Sequence, residues 1–176
     1  SAFGLILYSL TVSFASIDWI MSLEPEWFST IYGAVHLMSQ ALNAVAFSIL
    51  ILFLLLDRPL LQDASSPLVL NDLSNILMAF LLLFTYMSFS QYLIIWMGNI
   101  SEEIPWYTRR GRGGWGMIAA LLIAVYFFMP FVILLFRAIK RKPRRLAWVA
   151  AFMLFMGLVH FYWMISPAFY TRVYLN

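Results

Sequence analysis

The feature that most limits what this chain can become is the length of its uncharged apolar runs. Residues 29–56, 73–98, 115–136 and 146–166 contain no Asp, Glu, Lys or Arg, and residues 2–22 contain only Asp18. At 1.5 Å rise per residue, about 20 helical residues reach about 30 Å, the hydrocarbon thickness of a bilayer. Inside hydrocarbon every backbone N–H and C=O needs a partner within the segment, and an open sheet edge has none. The five runs therefore predict five helices. The fold class is all-α, a polytopic transmembrane helix bundle forming one domain over residues 1–176. Span 29–56 is long enough to tilt or protrude.

Composition agrees: 64% of residues are hydrophobic and 11% charged, where a soluble domain carries about 25% charge. The net charge of +3 sits mostly in one short loop, which is a membrane topology signal and not a nucleic-acid one. The absence of cysteine excludes disulfides, cysteine-ligated zinc, iron–sulfur clusters and covalently attached haem. Residue 1 lies inside an apolar run with no basic segment before it, so a signal peptide is not expected here. The sequence shows neither an internal repeat nor a soluble domain.

Local signals refine the spans. The segment "DRPLLQDASSP" (57–67) reads as a turn, with Asn71 or Asp72 as the cap of the third span. Pro130 predicts a kink in the fourth. Seven bases fall on one side of the membrane: Arg58 and, in "RAIKRKPRR", Arg137, Lys140, Arg141, Lys142, Arg144 and Arg145. Four fall on the other: Arg109, Arg110, Arg112 and Arg172. The more basic side is expected to be cytoplasmic. Trp19, Trp27, Trp96, Trp106, Trp115 and Trp163 then share the outer end, and Trp148 the inner. Two readings of the outer tryptophans are open, an interfacial aromatic belt and a docking or ligand surface.

The outer loop "NISEEIPWYTRRGRGGW" (99–115) is a dense charged segment between two apolar ones. Ile104–Pro105 is expected to stop any helix. Glu102 and Glu103 are expected to pair with Arg109 and Arg110. An exposed pair contributes about 0–1 kcal/mol, so stability is a weak reason for this cluster. Docking of a partner is a better one, with Glu102, Glu103, Arg109, Arg110 and Arg112 giving specificity and Trp106 and Tyr107 the apolar anchor.

Three stretches carry a family resemblance: "FSQYLIIWMGNISEEIPWYTRR" (89–110), "SFASIDWIMSLEPEWFSTIYG" (13–33) and "LVHFYWMISPAF" (158–169). Together they resemble the membrane subunit called F of bacterial alternative complex III, a relative of the NrfD-like quinone-binding membrane subunits. The resemblance spans nearly the whole chain. It implies the C-terminal half of a longer subunit in the bacterial inner (cytoplasmic) membrane. The complex oxidises quinol and passes electrons to periplasmic carriers or directly to a terminal oxidase. Its iron–sulfur and c-haem centres belong to other subunits, so the implied partners are those subunits, the NrfD-like sister subunit, quinol and lipid, and no nucleic acid. The implied cofactor position is none bound directly, with menaquinone or ubiquinone nearby.

Polar residues inside the spans are the candidate functional groups, since an ionisable group costs about 2.5–3.5 kcal/mol to insert at a helix centre. Tyr8, Thr11, Ala15, Asp18 and Ser22 form one helical stripe. Asp18 reads either as a solvated interfacial carboxylate or as a protonatable path residue. His36, Ser39, Gln40 and Asn43 share a face of the second span, suited to interhelical hydrogen bonds or to a polar path or quinone pocket. Thr85, Ser88, Gln91 and Tyr92 mark the third span, where hydroxyls often bond back to their own helix. Met153, Met156, His160 and Trp163 mark the fifth, the Met and Trp positions as packing. His36 and His160 lie about 10 Å and about 9 Å from the outer ends of their helices. Equal depth permits bis-histidine haem ligation, but the resemblance implies no haem here, and there is no zinc or phosphate motif.

The expectation is a proton-conducting or quinone-proximal path lined by Asp18, His36, Gln40, Asn43 and His160, without metal. The short loop 22–28 brings Asp18 towards His36. The alternatives are a structural scaffold for redox partners and a transporter whose polar stripes line a substrate route.

Overall fold

The computed structural model describes residues 2–56 and 66–170. Its elements are α1 (Ala2–Trp19), α2 (Tyr32–Leu54), α3 (Pro67–Gly98), α4 (Ile104–Gly111), α5 (Trp115–Leu121), α6 (Met129–Leu135), α7 (Arg137–Lys140) and α8 (Pro143–Ile165). A π-helical segment, Leu122–Phe128, joins α5 to α6. No strand occurs among the described residues. Among the described residues, five spans are long and apolar enough to cross a membrane: Ala2–Leu23, Tyr32–Leu54, Pro67–Gly98, Trp115–Leu135 and Pro143–Ala168. The chain is a multi-pass helical membrane protein.

α2 is the central element, packing against α1, α3 and α8. Its buried face carries Val35, Leu42, Ala46 and Ile49, which meet Leu77, Leu81 and Phe84 of α3 and Ala150, Met153 and Met156 of α8. α1 is peripheral, with Phe3, Leu5, Ile6, Leu10 and Phe14 all exposed. Its contact with α2 is a close one: a Cβ on Gly33 would stand 2.8 Å from the Ser13 Cβ. Only glycine allows the two helices this approach.

Expectations about where helices start are corrected. The cap of α3 is Ser66, whose hydroxyl accepts from the Val69 N–H at 3.4 Å, and Asn71 and Asp72 lie inside the helix. Pro67 occupies the first turn, where its missing N–H costs nothing, so the helix starts earlier than residue 73. Pro105 likewise begins a helix, α4, where the sequence was expected to stop one. The restriction before proline falls on Ile104, which only has to enter the first turn. Pro130 follows a wide π turn. Without an N–H it leaves the Tyr126 carbonyl unclaimed in the ordinary i−4 pattern, and a wider turn lets the backbone bypass it. The last span begins at Pro143. Arg58 and Arg172, used in the orientation argument, lie outside the described residues.

Candidate functional site

Two polar constructions stand out, one at the end of the bundle that carries α4 and one between α2 and α8.

At the α4 end, Glu24 follows a 3₁₀ turn, Met21–Leu23, between α1 and α2. Its Oε1 accepts from Arg110 Nη1 at 2.7 Å and its Oε2 from Arg109 Nη1 at 3.1 Å. The Glu24 and Arg110 side chains are only 8% and 3% exposed, whereas Arg109 is 53% exposed. Arg110 also donates from Nη2 to the Met164 carbonyl at 2.6 Å and from Nη1 to the Trp106 carbonyl at 3.1 Å. Its guanidinium carbon lies 3.6 Å from the centre of the Trp106 ring. Trp106 stacks on Trp27 at 4.6 Å, and Trp27 meets Tyr32 edge-on at 5.3 Å. Ile95 and Met164 close this apolar cluster. Burial pulls the Arg110 pKa below its ordinary value, and the Glu24 carboxylate opposes that pull. Burial pushes the Tyr107 phenol above its ordinary range, so Tyr107 is neutral.

The expected pairing of Glu102 and Glu103 with Arg109 and Arg110 is therefore replaced. Helix formation by Ile104–Gly111 turns Arg110 onto the face that carries Trp106, one turn away, and towards Glu24. Trp106 and Arg110 are buried within the chain, so neither presents itself to a partner. Glu102, Arg109 and Arg112 remain exposed, and Glu103 and Tyr107 are half-buried. Glu24 was not singled out from the sequence. The available signal was a glutamate beside a proline in a short loop at the same end of the bundle as three arginines.

Between α2 and α8, His36 meets the Phe161 ring edge-on at 5.4 Å, and His160 lies 6.1 Å from the same ring. His160 is further enclosed by Phe84 at 5.2 Å, with Tyr126 and Trp163 each at 6.3 Å. One ring thus bridges both histidines. The buried Nδ1 atoms of His36 and His160, and the hydroxyls of Ser39 and Ser88, have no hydrogen-bond partner within the described residues. Buried polar atoms of this kind are ordinarily satisfied by internal water or a ligand.

Gln40 and Asn43 stand a turn or two further along α2. Gln40 Oε1 accepts from the Tyr8 hydroxyl at 2.6 Å, and Asn43 Nδ2 donates to the Ser39 carbonyl at 2.8 Å. The Asn43 amide sits where a Cβ on Gly157 would be, so α8 offers it a glycine-lined seat. Tyr8, Gln40, Asn43, Leu154, Gly157, Leu158 and Phe161 line an open groove of about 450 Å³. Tyr126, from the π-helical turn, reaches the Asn43 side chain from the other flank.

His36, Gln40, Asn43 and His160 are therefore assembled into one region. Asp18 is not. The helices run antiparallel with Tyr8 opposite Gln40 and Ser13 opposite Gly33. That register carries Asp18, about 7.5 Å beyond Ser13, past the start of α2 and away from His36. Asp18 is exposed, and its carbonyl accepts from the Ser22 hydroxyl. Thr85 bonds back to the Leu81 carbonyl at 2.8 Å, as hydroxyls in such helices do. No cluster of three or more His, Cys, Asp or Glu suited to a metal ion occurs among the described residues.

No protein-family model matches this chain, and no curated protein is significantly similar to it.

Proposed function

We propose that this chain is an integral membrane subunit of a quinol-oxidising respiratory complex of the alternative complex III class, in the bacterial cytoplasmic membrane. It carries no redox centre and supplies a proton-exchanging or quinone-proximal environment between α2 and α8. One observation carries the reading. The three stretches that resemble that subunit converge on a single side chain: Arg110 of 89–110 bonds Glu24 of 13–33 and the Met164 carbonyl of 158–169. Segments this far apart in sequence, meeting through one buried cation, form one structural unit.

The residues suited to proton exchange are His36 and His160. Histidine can take up and release a proton at a ring nitrogen, and both have a buried ring nitrogen without a hydrogen-bond partner among the described residues. Gln40 and Asn43 are the neutral polar groups nearby. The exposed Glu102, Arg109 and Arg112 form the surface for an iron–sulfur or c-haem subunit, and a bound menaquinone or ubiquinone belongs near the α2–α8 groove. A scaffold reading has its own support, since Arg110 and Trp106 serve the fold of the outer face.

The test is purification of the complex from its native membrane, with His36→Gln and His160→Gln variants. Co-purification with c-haem and iron–sulfur subunits and slowed quinol oxidation in assembled variants are expected. A purified complex without c-haem refutes the class. Normal turnover and proton stoichiometry in both variants leave the scaffold role.

A further inference from the structure

At the end of the bundle opposite Arg110, the chain gathers a basic surface. Asn75 of α3 lies 20 residues before Ile95, which belongs to the outer aromatic cluster. That separation is about 30 Å along the helix, one hydrocarbon thickness. At this end Lys140 donates from Nζ to Asn75 Oδ1 at 2.6 Å and is buried. α7 is thereby tied down on α3. Arg137, Arg141, Lys142, Arg144 and Arg145 are all exposed around it. None of them forms an ion pair among the described residues, where the only salt bridges are those of Glu24. The one described carboxylate near Lys140 is Asp72, exposed a turn before Asn75 and also without an ion pair.

These charges do not serve the helix they adjoin. Arg144 and Arg145 stand in the first turn of α8, which has no acidic residue, although the helix dipole disfavours positive charge there. Two exposed aromatics flank the cluster, Phe136 before it and Trp148 after it, the latter 70% exposed. Trp148 is about 7.5 Å into α8 from Pro143. An exposed tryptophan at that depth belongs at the headgroup level.

We propose that this surface binds the headgroup of an anionic glycerophospholipid from the adjoining leaflet, with Arg141, Lys142, Arg144 and Arg145 facing its phosphate and Trp148 beside its acyl chains. Juxtamembrane clusters of four to eight bases attract anionic lipid electrostatically. Fixing α7 through Lys140 holds the bases in place, so less ordering entropy is lost on binding. The site is independent of the quinol-oxidation proposal and depends only on the membrane-spanning fold.

The full chain, reconstituted in equimolar phosphatidylcholine and phosphatidylglycerol and examined by native mass spectrometry, tests this. Phosphatidylglycerol should be retained in preference to phosphatidylcholine. The preference should fall as salt rises from about 0.1 M to about 1 M, where the Debye length shortens from about 10 Å to about 3 Å. R144Q/R145Q should lower it at least about fivefold, and R144K/R145K should keep it. Equal retention of both lipids by the wild-type chain, or unchanged retention by R144Q/R145Q, overturns the proposal. Displacement of the lipid by millimolar inorganic phosphate overturns it in favour of a free-anion site. Loss of a co-purifying subunit from R144Q/R145Q with lipid retention intact overturns it in favour of a protein interface. The salt series on the unaltered chain decides the matter even if a variant fails to fold.

Discussion

Arg110 donates to Glu24 at 2.7 Å across 86 residues of sequence, and both side chains are almost wholly buried. The pair links α4 to the turn between α1 and α2, and the same guanidinium reaches the Met164 carbonyl near the end of α8. Desolvating two charges is costly. Two further donors reach carbonyls and the guanidinium lies on the face of Trp106, while the buried Nε has no hydrogen-bond partner among the described residues. Such a pair is weak evidence of net stability but strong evidence that losing either partner is harmful.

Arg110→Ala should therefore lower stability by about 3–5 kcal/mol, because Glu24 is left buried without its main partner. Arg109→Ala, at an exposed position, should cost about 0–1 kcal/mol. Thermal unfolding in detergent distinguishes the two. Equal effects would mean that Arg110 is not the structural member of the pair.

Lys140 gives a pH dependence with a definite sign. Burial, and secondarily the Arg137 charge, pull its pKa below the ordinary 10.5. In the unfolded chain the amine returns to that value, so between the two pKa values the unfolded state binds more protons. Stability therefore rises with pH through that window, up to about 10.5, and the penalty is fully present below the folded value. Lys140→Met should remove this increment while losing the bond to Asn75. The melting temperature of the unaltered protein should rise relative to that of the variant as the pH approaches about 10.5. Identical pH profiles would show that Lys140 is not desolvated.

Span positions were legible from the sequence because each is set by one local quantity, the length of an uncharged apolar run. Helix starts were less so. Pro67 and Pro105 look locally like breaks, whereas both stand in first turns, where a missing N–H is free. The face shared by His36, Gln40 and Asn43 was visible from periodicity. The displacement of Asp18 was not, because it depends on the α1–α2 register set by Ser13 against Gly33. Glu24 escaped notice for a related reason. Its partner is 86 residues away, and Glu102 and Glu103 offered a nearer match.

Gly157 and Asn43 should show compensation. A methyl at Gly157 meets the Asn43 amide, which is held by its bond to the Ser39 carbonyl. Gly157→Ala should destabilise by about 1–3 kcal/mol through overpacking. Asn43→Ala vacates the seat, so the double variant should be more stable than the sum of the single effects implies. A double-mutant cycle by thermal unfolding measures this coupling. Strict additivity would place the helices further apart than they stand.

The last prediction concerns which way the bundle faces. Exposed bases cluster beside Lys140 at one end, and Arg109 and Arg112 lie at the other. Bases close to span ends are retained on the cytoplasmic side, so α7 is expected inside and α4 outside. Residues 1–176 contain no cysteine, so within them only the introduced thiol is labelled. Ser101→Cys and Lys142→Cys replace exposed residues at opposite ends. In intact cells an impermeant maleimide should label the first, and the second only after the membrane is opened. The reverse pattern would turn the protein over, placing the Glu24–Arg110 network in the cytoplasm and removing it from the reach of any extracytoplasmic redox partner.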